Sequence, residues 1–112
     1  MSELKHLVPP LELCRKIPPG EFKDSALFWF FDGHSWSLVP RDFYPHPFHF
    51  IPAPTLQDIL DRLSEFGEPV TVTQWKTGQI AVSCQINDDV FEEVSQEGAS
   101  AALQLWLELY NQ

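Results

Sequence analysis

The sequence predicts an α+β fold: two antiparallel β-hairpins forming one sheet, two longer helices packed on one face, and a short N-terminal helix. Three observations carry this expectation. Val70 to Trp75 and Gln79 to Ile86 alternate along their length and flank Lys76-Thr77-Gly78, the pattern of a hairpin with a tight turn. Ala99, Ala102, Leu103, Trp106, Leu107 and Tyr110 recur at the spacing of one helical face and keep the chain apolar close to its end. Thr55 with Asp58 three residues on, ahead of Leu56, Ile59, Leu60, Leu63 and Phe66, has the form of a capped amphipathic helix ending at Gly67.

The remaining elements follow in chain order. Pro9 and Pro10 open a short helix over Leu11 to Ile17, because proline's missing N–H costs nothing in a first turn, and Pro18-Pro19-Gly20 closes it. Ser25 to Phe31 and Trp36 to Val39 flank Asp32-Gly33-His34-Ser35 as the first hairpin. The run Leu27-Phe28-Trp29-Phe30-Phe31 is apolar on both faces, which suits a strand covered twice or one face given to a partner. Between Pro40 and Pro54, prolines alternate with Phe43, Tyr44, Phe48 and Phe50, so an ordered loop is expected there. Asn87 to Val94 reads as an acidic loop.

At 112 residues the chain fits a single globular domain, 1–112, able to form its own core without metal or disulfide. Apolar residues make up 44%, charged residues 21% and aromatic residues 13%, so disorder is not expected and ring packing is. No apolar run reaches membrane-spanning length, and Met1 to Pro10 interrupts any signal-peptide core with charge and proline. The expected location is cytoplasmic, with no membrane partner. Cys14 and Cys84 belong to no Cys-x-x-Cys pair and are expected to be reduced and buried.

The net charge of −9 opposes nonspecific binding to nucleic acid. It belongs mostly to the C-terminal half. From Ile51 onward only Arg62 and Lys76 oppose the carboxylates of Asp58, Asp61, Glu65, Glu68, Asp88, Asp89, Glu92, Glu93, Glu97 and Glu108. A solvated surface explains this most simply, and an acidic mimic of DNA would instead require those carboxylates to gather on one exposed face.

Three blocks, LELCRKIPPGEFKDSALFW (Leu11 to Trp29), IPAPTLQDIL (Ile51 to Leu60) and AALQLWLEL (Ala101 to Leu109), resemble a group of short proteins encoded by phages and prophages of gut bacteria. The matched positions are cap, turn and core residues. The resemblance therefore implies a phage or prophage origin and transfers no catalytic or binding residue.

No nucleophile motif or glycine-rich phosphate loop is present, and no cofactor is expected. The leading expectation is a non-enzymatic protein that binds another protein or its own copy. Its candidate contact surface is Trp29, Phe31 and Trp36, together with Leu105 and Leu109, which form a second apolar row with Ala101 on the last helix. That row calls for cover either by Leu11 to Ile17 or by a second protein. The alternative is a small metal-dependent enzyme built on His34, His46 and His49, the histidines with ligand-capable atoms in one region.

Overall fold

The computed structural model describes residues 7–40 and 50–112. In these the chain runs α1 (Leu11–Cys14), β1 (Leu27–Phe31), β2 (Trp36–Pro40), β3 (Phe50–Pro52), α2 (Leu56–Leu63), β4 (Val70–Gln74), β5 (Ile80–Ile86), β6 (Asp89–Ser95) and α3 (Gly98–Tyr110). The class is α+β, and no described helix is long and apolar enough to cross a membrane. The proline-rich aromatics Phe43, Tyr44 and Phe48 lie outside the described residues.

The two hairpins do not share a sheet. They form separate three-stranded antiparallel sheets, ordered β2-β1-β3 and β4-β5-β6. Each hairpin takes its third strand from a segment expected to be a loop. The end of the proline-rich stretch pairs as β3 with β1, Phe28 opposite Pro52, and occupies an edge where a missing N–H can face away from the ladder. The acidic segment pairs as β6 along all of β5, from Ile80 opposite Ser95 to Ile86 opposite Asp89. Only Asn87 and Asp88 remain as a two-residue connection, with Asn87 at φ 56, a left-handed conformation asparagine tolerates.

The local signals hold at both longer helices. Thr55 Oγ1 accepts from the Asp58 N–H at 3.3 Å while the Asp58 carboxylate accepts from the Thr55 N–H at 3.0 Å, closing a capping box at the start of α2. The regular helix stops at Leu63, before Gly67. Gly67 serves a different need: a Cβ there would lie 2.2 Å from the Gln85 carbonyl oxygen, so the backbone approaches β5 at a distance only glycine permits. At the other end of the chain, α1 is one turn shorter than its sequence suggests, because the regular helix gives way to turns after Cys14.

The core is built around α3. This helix lies on β5 and β6, while α2 packs on α3 more than on either sheet, and α1 touches both α3 and β3. Ala99 to Leu109 are buried except Gln104 and Glu108, so α3 is covered on nearly all sides. One buried cluster joins Val8, Cys14, Phe22, Trp29, Ile59, Leu63, Val82, Cys84 and Trp106, linking both sheets and all three helices.

Candidate functional site

The expected contact residues divide between interior and rim. Leu105 is fully buried and Leu109 nearly so, which corrects their assignment to a free surface. The reason is the central position of α3. Its second apolar row is covered within the chain by the elements packed around it, α1 among them, and needs no second protein. Trp29 is also buried, on the inward face of β1, and its indole N–H meets no oxygen or nitrogen acceptor among the described residues. It lies against the Cys14 thiol; burial pushes that thiol up to about 12, and the indole contact only partly opposes this. Such a thiol is inert at neutral pH. Burial also raises Cys84, whose Sγ lies 3.3 Å from the Gly67 carbonyl and 3.5 Å from that of Leu63.

Phe31 and Trp36 are half-buried at the end of the first hairpin. Their rings are 5.2 Å apart, and the Arg15 guanidinium sits 5.3 Å from the Trp36 centroid. Trp36 packs against the core and the Arg15 guanidinium lies over its ring, so this pair anchors the hairpin to the turn after α1.

His34 lies in the exposed turn between β1 and β2. There its backbone N–H, at 2.8 Å, and that of Ser35, at 3.0 Å, both donate to Asp32 Oδ1. The Ser35 contact first, then that of His34, holds the Asp32 carboxyl below its ordinary value. The turn thus has a structural use for Asp32 that engages no imidazole atom. His46 and His49 lie outside the described residues. Among the described residues no group of three histidine, cysteine, aspartate or glutamate side chains is placed to hold a metal.

The acidic segment divides its charge by strand alternation. On β6, Glu92 faces outward opposite Ser83, while Glu93 faces the α3 side opposite Val82. There a hydrogen bond with Glu108, then desolvation, then repulsion between the two carboxylates push Glu93 up to about 7. A groove of about 530 Å³ runs beside the first turn of α3, between Pro10, Leu13, Lys16 and Ser95, Glu97, Gln104. It is open to solvent, and the Ser100 hydroxyl at its floor is already committed to Glu97 Oε1 at 3.1 Å.

The feature that stands apart is β4. Thr71, Val72, Thr73 and Gln74 are exposed, although strand alternation aims them at opposite faces of the sheet. Val72 and the adjoining Trp75 are both 44% exposed. Among the described residues the strand pairs with β5 alone, and its other backbone edge takes no partner. The direction of that edge follows from the hydrogen bonds flanking the strand. The Gln85 N–H donates to the Pro69 carbonyl and the Trp75 N–H donates to the Gln79 carbonyl, so odd-numbered residues point their backbone groups toward β5. Val70, Val72 and Gln74 consequently present their N–H and C=O groups outward.

Reading the segment as half of a hairpin located this strand without revealing its exposure. The available signal is compositional: Val70-Thr71-Val72-Thr73 alternates two β-branched residue types, and its apolar face carries only two small valines, of which Val70 packs on the core and Val72 stays exposed. Comparison with protein-family models, with curated proteins and with solved structures finds no match.

Proposed function

We propose that this chain is a non-enzymatic protein-interaction module that binds an extended strand at the open edge of β4. The carrying observation is that Thr71–Gln74 is exposed on both faces, and that β4 is uncharged and, among the described residues, unpaired along one backbone edge. Sheet edges of this kind recruit strands, and proteins that avoid pairing place charge, proline or a covering element there. The other edge strands of the described sheets carry such groups: Pro40 on β2, Pro52 on β3, and Asp89, Glu92 and Glu93 on β6. An accessory role of this type also suits the phage or prophage origin that the sequence blocks imply.

Selection from a displayed library of random peptides tests the reading. The expected binders are extended and rich in β-branched residues, protect the Val70, Val72 and Gln74 amides from exchange, and are lost with Val72→Pro. Proline at 72 removes an outward N–H while leaving the bonds to β5 in place. No enriched peptide, or equal binding by a folded Val72→Pro variant, would overturn strand binding at this edge.

A further inference from the structure

We infer that the strand seated on β4 is β4 of a second copy, paired antiparallel about a two-fold axis through Val72. This rests on the strand-addition reading and assigns its occupant.

Self-complementarity carries the inference. A two-fold axis at Val72 sets each residue opposite the one equally far on the other side. Within the strand Val72 then meets Val72 of the second copy, Val70 meets Gln74 and Thr71 meets Thr73, while the flanking residues Glu68 and Pro69 come to the same end of the paired strands as Trp75 and the turn residue Lys76 of the other copy. Each pairing is productive. Val70, Val72 and Gln74 are the residues whose backbone groups face outward, so this register uses all of them and makes about six N–H···O bonds. Thr71 and Thr73 lie on the outer face and form a cross-strand pair of the favourable kind. The half-exposed Trp75 ring acquires an exposed proline as neighbour.

Charge favours a second copy over an unrelated strand. Glu68 and Lys76, both exposed, bracket an uncharged segment with opposite signs, so antiparallel pairing places acid beside base at both ends. Two copies of a chain carrying −9 repel over most of their surface, and this edge lets them meet without like charges opposed. Pairing through β6 would instead bring Asp89, Glu92 and Glu93 of the two copies together. The product is one continuous six-stranded antiparallel sheet with an α3 helix from each copy on it.

Sedimentation equilibrium over a range of concentrations, with charge reversal, tests the register. The wild type is expected to dimerise and to dissociate on dilution. Glu68→Lys or Lys76→Glu alone should each raise the dimer dissociation constant about fivefold, and the double reversal should restore it. Under oxidation Val72→Cys should give a covalent dimer and Val70→Cys should not, since only residue 72 faces its own copy; Cys14 and Cys84 are buried and do not compete. A wild type that stays monomeric at millimolar concentration overturns the dimer and leaves strand addition to the peptide selection. A dimer that persists in a folded Val72→Pro variant and does not cross-link through residue 72 overturns pairing through β4 and likewise leaves strand addition to the peptide selection.

Discussion

Phe22 meets Trp106 edge to face, with ring centroids 4.7 Å apart, and does so from a left-handed backbone conformation at φ 57. A bulky residue in that region is strained. What holds it there is visible: the Ser25 N–H and hydroxyl both donate to the Phe22 carbonyl, at 3.1 and 2.7 Å, and the ring is almost wholly buried. Arg62 caps the pair, its guanidinium 4.9 Å from the Phe22 centroid and 5.8 Å from that of Trp106 while it donates to the Glu21 carboxylate. Phe22→Ala and Trp106→Ala should each destabilise the protein by about 3–5 kcal/mol, and the double variant by less than their sum. Phe22→Gly should be no less stable than Phe22→Ala, because glycine relieves the left-handed strain. Urea midpoints of the four variants check this, and strict additivity would show that the rings do not act together.

Thr55→Ala should cost about 1 kcal/mol, since the hydroxyl satisfies the Asp58 N–H in the first turn of α2. The expected signature is a lower denaturation midpoint with an unchanged slope. An unchanged midpoint would show that water serves this N–H equally well.

Gly67→Ala should destabilise more than an ordinary helix-end substitution. The added methyl would overlap the Gln85 carbonyl oxygen and crowd the Ile86 side chain, and separating them pulls the α2–β4 connection from β5. A loss of about 2 kcal/mol or more is expected in thermal or urea unfolding. A variant as stable as the wild type would mean that the connection yields without disturbing the strand.

Glu93 links stability to pH. Its carboxyl lies at about 7 when folded against an ordinary 4.5, so between these values the folded chain holds a proton that the unfolded chain releases. This contribution is fully present at low pH and is lost as pH rises through the folded value. Glu93→Gln keeps a hydrogen-bonding partner for Glu108 without the second charge. The variant should therefore gain stability relative to wild type as pH rises from about 5 to about 8, as read from urea midpoints. Parallel pH profiles for the two proteins would show that the carboxylates separate rather than share a proton.

The sequence by itself determined what depends on neighbours a few residues apart. Thr55 and Asp58 announce the start of α2, the spacing from Ala99 to Tyr110 announces α3, and Lys76-Thr77-Gly78 sets the β4–β5 turn, because capping, helical periodicity and tight turns are local. Tertiary structure decided which strand pairs with which and which faces are covered. Phe50–Pro52 and Asp89–Ser95 carry the proline and charge of loops, yet each becomes a strand because a neighbouring hairpin offers it an open edge. Leu105 and Leu109 formed a second apolar row whose cover no local pattern could identify, and it is supplied by elements distant in sequence. Val72 and Trp75 show the reverse case. Their alternation promised a strand, but exposure follows from which elements lie over β4, and α3 lies on β5 and β6 instead. Burial depends on long-range packing, so the contact surface could be found only once the chain had folded.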